Sequence, residues 1–272
     1  KRLCKVTFLT CMILRSTFAQ KYFHKSNAKN LYSKAKFSTY MSLTKTQGDG
    51  IGGEGVVFQP RDKAYKNVVI FLHGLGDTAD GWASVMPTFN LSQTKFILPT
   101  ASVRPITLNG GFPMPAWSDI SSISNGSAED KEGFEQSSLR IKSIVDNEKL
   151  KGILTNNIVV GGFSQGGAVS LHFCMRSENV LGGCIAMSSW LPFANEYPEV
   201  LGKGIREGTP ILQCHGLLDS VVQYDWGKSS HEKIKSMSPS AKFETFSNLD
   251  HSACPEEIEK VNAFLKSCLN EN

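Results

Sequence analysis

The stretch NIVVGGFSQGGAVSLHF, residues 157–173, sets one serine, Ser164, between two pairs of glycines. Strand-like β-branched residues precede it and a helix-like run follows it. Gly162-Phe163-Ser164-Gln165-Gly166 fits G-x-S-x-G, the pattern of a sharp strand-to-helix elbow that lifts a serine hydroxyl to the edge of a sheet. Flanking glycines remove Cβ atoms that would clash with a strained backbone and with neighbouring strands. The serine also stands at a helix N-terminus, where free N–H groups can hold a developing anion. The same residues equally describe a glycine-rich turn that opens a helix, because glycine and serine are common turn formers.

Outward from this stretch the chain alternates. Short apolar runs bounded by Gly, Pro or Asn read as strands: NVVIFLHG from residue 67, KFILPT from 95, NIVVGG from 157, GGCIAMSS from 182, PILQCHG from 210 and AKFETFS from 241. Helix-period segments lie at 129–150, 164–176, 224–237 and 254–269. Phe134, Ser138, Ile141 and Val145 share one face of the first, as do Ile258, Val261, Phe264, Leu265 and Cys268 in the last. Strand–helix alternation predicts an α/β fold, a mostly parallel central sheet with helices on both faces, as one domain over residues 48–272. GDGIGGEG, residues 48–55, reads as a linker, and residues 101–125 as a long loop that builds or covers a binding site.

Composition narrows the function. With 40% apolar and 20% charged residues, the 272-residue chain has an ordinary globular make-up. Residues 1–46 hold ten of the 29 basic residues and none of the 25 acidic ones, so the remainder is acidic, 19 against 25. An acidic folded part argues against a nucleic-acid partner. Residues 1–47 form a basic extension with three readings: a secretory signal, an organellar presequence that would make the location mitochondrial, or a segment outside the functional protein, with Met41 as its start. The apolar run from Val6 to Leu14 is too short to span a bilayer, so no transmembrane span is expected. Cys4 and Cys11 sit beside basic and apolar residues where acylation occurs, or are ordinary residues of the extension. Seven scattered cysteines without a CxxC pair point to neither zinc nor a redox motif. Cysteines within apolar runs favour a reducing compartment, hence the cytoplasm.

In an open α/β sheet, ligands bind beyond the carboxyl ends of the strands. Asp219 follows the strand-like run PILQCHG and His251 follows AKFETFS, so the chain order is serine, acid, histidine, the order of α/β-hydrolase triads. A serine hydroxyl becomes a competent nucleophile when a neutral imidazole takes its proton, and the imidazole needs a carboxylate to orient it. Asp250 is a rival acid and His215 a rival base. His24, His172 and His231 fall in the extension or on helices and read as ordinary polar or core residues. The His73-Gly74 pair ends an early strand, which makes the backbone N–H groups of Leu75 and Gln165 the candidate oxyanion hole. His73 and Asp77 read as braces of that loop. Leu108, Phe112, Met114, Trp117, Trp190 and Leu191 offer an apolar surface for an acyl chain, or else ordinary packing, the reading preferred for Trp190.

FLHGLGDTADGW, PMPAWSDI, GGFSQGGAVSL, SSWLP, ILQCHG and DHSAC together resemble the acyl-protein thioesterase / lysophospholipase family of serine hydrolases, in order from about Val68 to the C-terminus. The resemblance implies the α/β-hydrolase fold and removal of palmitoyl groups from cysteine thioesters on proteins. Lysophospholipid or simple ester hydrolysis is the alternative. S-acylated proteins and lysophospholipids would be the substrates, met in transient contact with a membrane surface, and no metal or cofactor is required. It carries the nucleophile to Ser164, the acid to Asp219, the base to His251 and the oxyanion amides to Leu75 and Gln165. HGLLDS departs from the family's HGDxDP by an acid and a proline, which bears on the rigidity of the loop that carries Asp219. A non-catalytic lipid carrier with a decayed site is the other class of reading, and the intact serine, acid and histidine speak against it.

Overall fold

The computed structural model describes residues 43–124 and 126–271. Expectations for residues 1–42, including Cys4, Cys11 and His24, lie outside the described residues. Eight strands form one sheet: β1 (Leu43–Gln47), β2 (Gly55–Pro60), β3 (Asn67–Leu72), β4 (Thr94–Pro99), β7 (Ile158–Phe163), β8 (Gly183–Met187), β9 (Ile211–Gly216) and β10 (Lys242–Phe246). Their order is β1-β2-β4-β3-β7-β8-β9-β10. The six from β4 to β10 run parallel, while β1 and β2 pair antiparallel at one edge.

The period of two along each strand separates the two faces. Val68, Ile70 and Leu72 of β3 point to one side with Val160 of β7, where helices α2 (Lys131–Leu150) and α3 (Gln165–Met175) pack. Val69 and Phe71 point to the other with Val159, against α1 (Ala79–Ala83) and α6 (Pro255–Leu269). A short α4 (Lys203–Arg206) and α5 (Tyr224–Met237) add Ile205 and Ile234 to the first face. Strands buried on both faces read as nearly continuous apolar runs, which is why the parallel strands were legible.

Three local expectations change. Residues 43–47, assigned to the basic extension, form β1, an edge strand with one buried side chain in five. Residues 48–54 are a pinned loop rather than a linker. Buried Asp49 accepts the N–H groups of Ile51 (3.1 Å) and Gly53 (2.8 Å). It also takes Nε (3.1 Å) and Nη2 (2.7 Å) of Arg140 on α2. Within the expected loop, β5 (Val103–Ile106) and β6 (Phe112–Pro115) form a separate two-stranded hairpin. Each is four residues long and carries proline opposite the other strand, Val103 facing Pro115 and Pro105 facing Pro113. Proline cannot donate to a ladder, so such a sequence does not announce a strand. On α2 the buried face takes Ser137, and Ser138 is only half-buried. Cys268 is likewise at the margin of the α6 face.

Asp49→Ala should strand the Arg140 guanidinium and free two N–H groups, a loss on the order of 2–3 kcal/mol. Urea denaturation measures it, and a midpoint unchanged from wild type would mean that this loop does not brace the sheet.

Candidate active site

Four parallel strands end on the same side of the sheet, and each hands over one part of the site. Leu75 follows β3, Ser164 follows β7, Asp219 follows β9 and His251 follows β10. Ser164 has φ 53 and ψ −121, a conformation that non-glycine residues rarely adopt. Its N–H donates to Met187 O (2.8 Å), and its carbonyl accepts Ala168 N–H (3.0 Å) and Ser189 Oγ–H (2.8 Å). These bonds hold the strain in place.

The neighbouring glycines serve proximity, since none of the four has a positive φ. A Cβ on Gly166 would lie 2.4 Å from Leu72 O, and one on Gly162 would lie 2.5 Å from the Gly166 carbonyl carbon. One on Gly161 or Gly167 would meet Ile185 Cβ or Ser189 Cβ at 2.8 Å. The helix therefore starts against β3 because no side chain separates them.

His251 Nδ1 lies 2.8 Å from Asp219 Oδ2, and Nε2 lies 2.9 Å from Ser164 Oγ. A carboxylate only accepts, so Nδ1 carries the hydrogen and Nε2 faces the serine as an acceptor. The Asp219 side chain is fully buried, and its Oδ1 accepts the N–H groups of Val221 and Val222, both at 2.9 Å. Phe163 packs against the His251 ring at 4.9 Å between centroids, and Trp82 packs behind Phe163 at 5.6 Å. Of the rivals, His215 also lies beside the acid, its Nε2 3.5 Å from Asp219 Oδ2. Asp250 is exposed and holds Ser252 Oγ–H, while buried His215 donates Nε2–H to Val222 O at 2.8 Å. Burial lowers the pKa of His215 and keeps it neutral. His231 Nδ1 meets Gln213 Oε1 at 2.9 Å, and His172 is buried among Phe134 and Phe193.

The loop carrying Leu75 passes beside the serine, with the Cβ direction of Gly74 3.5 Å from Ser164 Cβ. His73 braces it, donating Nδ1–H to Gly74 O (2.7 Å) and accepting Ala101 N–H at Nε2 (2.9 Å). Burial pulls the pKa of this ring down to about 4, so it holds one neutral tautomer. Asp77 accepts Thr78 N–H at 2.8 Å, and burial raises its carboxyl to about 6. Gln165, the first residue of α3, has no intrahelical partner for its N–H. Its side chain, which sequence reasoning did not weigh, accepts Trp117 N–H (3.0 Å) and donates to Ser118 O (2.8 Å). The HGLLDS loop is held by its backbone instead of a proline. Leu217 and Leu218 donate N–H to Phe246 O (2.9 Å) and Leu249 O (3.0 Å).

A cleft opens at Ser164 and Leu75. Its apolar walls are Ile120, Ile123, Phe134, Trp190, Val221, Val222 and Trp226. The expected acyl-contacting residues are not among those that line it. Trp117 is buried, with Nε1–H on His73 O at 2.8 Å, and Leu191 is buried, with its N–H on Ser230 Oγ at 3.0 Å. Met114 and Leu108 pack with Ile106 under the hairpin, and Phe112 stands 54% exposed on it. Leu75, which lines the cleft beside Ser164, packs against this same cluster. Trp190, expected to serve packing alone, lines the cleft. Val221 and Val222, two and three residues after the acid, were the signal that sequence reasoning passed over.

A mostly parallel sheet with a strained serine elbow, a histidine and an acid beyond its strand ends defines an α/β hydrolase. Comparison with known proteins narrows the class: residues 53–269 match the phospholipase/carboxylesterase family, and the chain belongs to it. It is 40% identical over 206 residues to acyl-protein thioesterase 1 homolog 1 of Dictyostelium discoideum, covering 74% of this chain and 90% of that protein. Acyl-protein thioesterase 1 of Candida albicans is 39% identical over 218 residues, covering 76% and 94%. The crystal structure of Zea mays acyl-protein thioesterase 2 superposes with a TM-score of 0.73 at 30% identity, covering 80% of this chain and 99% of that one. Among the described residues no helix is long and apolar enough to cross a membrane.

An unexpected group lies within electrostatic reach of Asp219. Glu257, in the first turn of α6, is fully buried and neither carboxyl oxygen has a hydrogen-bond partner. Burial, reinforced by the charge of Asp219, raises its pKa from 4.5 to about 8. Between those pH values the folded protein keeps a proton that the unfolded chain has released, so stability falls as pH climbs through that window. The loss is of the order of a few kcal/mol. Glu257→Gln should remove this dependence, leaving the variant more thermostable than wild type at the alkaline end but not at the acid end. Parallel melting curves across the window would refute the assignment.

Proposed function

We propose that Ser164, Asp219 and His251 act as a catalytic triad that hydrolyses long-chain acyl thioesters and so removes palmitoyl groups from protein cysteines. The observation that carries this reading is the unbroken chain from Asp219 through His251 to Ser164 at the mouth of an apolar cleft. The names of the relatives, acyl-protein thioesterases over most of their length, support the substrate class.

In the proposed mechanism Ser164 Oγ attacks the acyl carbonyl as its proton passes to His251 Nε2. The oxyanion is met by the N–H groups of Leu75 and Gln165, where loss of one such donor typically costs about 10²–10³ in turnover. The imidazolium, stabilised by Asp219, returns the proton to the departing thiolate. Water, activated by the same histidine, then releases the fatty acid. The cleft supplies binding for the chain at ~0.8 kcal/mol per buried CH₂, or roughly fourfold per methylene. S-acylated proteins are the proposed partners, reached in transient contact at a membrane surface. The cytoplasmic location belongs to the same reading, supported by Cys174, Cys184, Cys214, Cys254 and Cys268 as free thiols. A second reading, an oxygen-ester lysophospholipase or carboxylesterase, draws on the family's own description. Triad and oxyanion hole would serve either bond.

Turnover of a palmitoyl-cysteine peptide beside a matched lysophospholipid decides between them. The thioester is expected to be the faster substrate, and a thioester much slower than the lysolipid overturns the lead reading. A fluorophosphonate probe should label wild type and not Ser164→Ala, and Asp219→Asn should lower kcat by about 10⁴. Equal labelling of Ser164→Ala would sink the nucleophile assignment.

A further inference from the structure

Glu129 joins two walls of the cleft. Its backbone pairs with Ile120 in an antiparallel bridge, and both residues line the cleft with Ile123. From there its carboxylate reaches the opposite segment that follows β8. Oε1 accepts the indole N–H of Trp190 at 3.0 Å, and Oε2 accepts the backbone N–H of Phe193 at 2.6 Å. Each bond fixes a different part of the wall. Trp190 stacks on Trp226 of α5, with centroids 4.8 Å apart and planes 29° from parallel. Phe193 has φ 51, in the left-handed region, and its ring meets Phe134 edge-on at 5.3 Å. Trp190, Trp226 and Phe134 all line the cleft. One side chain that touches neither the serine nor the histidine thus orients three aromatic rings around the space where a chain would lie.

We infer that Glu129 is a positioning residue for acyl-chain specificity: by holding the Trp190 indole and the Phe193 amide, it keeps the cleft in the shape that accepts a long chain. The inference rests on the long-chain reading above. A carboxylate suits the task because both contacts are N–H donors and both of its oxygens accept. An amide at the same place would turn an NH₂ group toward one of those donors, leaving two donors face to face and one buried N–H unsatisfied. Aspartate keeps the charge but is one methylene shorter and cannot span both contacts.

The test is a chain-length series of p-nitrophenyl acetate, butyrate, laurate and palmitate with wild type, Glu129→Gln and Trp190→Phe. Trp190→Phe keeps a smaller aromatic ring for the stack on Trp226 and removes the indole N–H together with part of the ring. For Glu129→Gln, kcat/KM on laurate and palmitate should fall about 10- to 100-fold, chiefly through KM. Acetate, which does not fill the cleft, should change far less and so reports the amount of folded enzyme. Trp190→Phe should shift the series in the same direction by a smaller factor. A wild-type profile flat in chain length overturns the long-chain reading and this inference with it. A steep wild-type profile that both variants retain overturns the inference alone, as does an equal loss on every ester, which would mark Glu129 as a general structural residue.

Discussion

The active site depends on one crowded turn. After β7 the chain must reverse into α3 within a single residue, because the helix backbone lies directly against the carbonyl of Leu72. Ser164 takes a disfavoured backbone conformation to do so, and bonds to Met187, Ala168 and Ser189 hold it there. The strain points the hydroxyl out of the sheet and aligns the first free N–H of α3 beside it. Gly216 applies the same constraint on β9, two strands along, since a Cβ there would fall 2.1 Å from Leu249 O. That close approach brings the loop bearing His251 over the one bearing Asp219.

Three carboxyl groups, two buried and one partly buried, show how far environment sets the role of a side chain. Asp219 meets two backbone N–H groups and the His251 ring, a setting that suits an anion. Glu129 meets two N–H groups from one segment and acts as a clamp. Glu257 is fully buried, and burial outweighs the Cys254 backbone N–H near it, so its carboxyl is raised to about 8. A neutral Glu257 spares Asp219 a second negative charge nearby, which would favour protonation of Asp219.

Much of this was legible in the sequence for stated reasons. Strands β3, β4, β7, β8 and β9 are buried on both faces and therefore written in continuous apolar runs, while β10, at the far edge, is only partly buried. Helices α2, α5 and α6 carry their periodicity because each presents one stripe to the sheet, and α3 is buried along its whole length. Edge strand β1 and the proline-bearing hairpin lack both signals, because their side chains face solvent or sit opposite proline. The apolar side chains at 108–117 were read as a surface for the chain, and only the hairpin pairing showed that Leu108 and Met114 form a small cluster against which Leu75 packs.

The sequence by itself determined the serine elbow, the chain order of serine, acid and histidine, and the parallel sheet. Those features are local: strand runs, glycines at fixed offsets and residues just past strand ends keep their meaning wherever the chain goes. Tertiary structure alone showed that Asp219 and His251, the acid and base that the sequence favoured over Asp250 and His215, form one hydrogen-bonded chain to Ser164, and which side chains face the cleft. Both turn on contacts between segments 32 to 87 residues apart, from Asp219 to His251 and from Ser164 to His251. Burial and hydrogen-bond satisfaction settle such contacts, and both arise only once the sheet has placed its strand ends side by side.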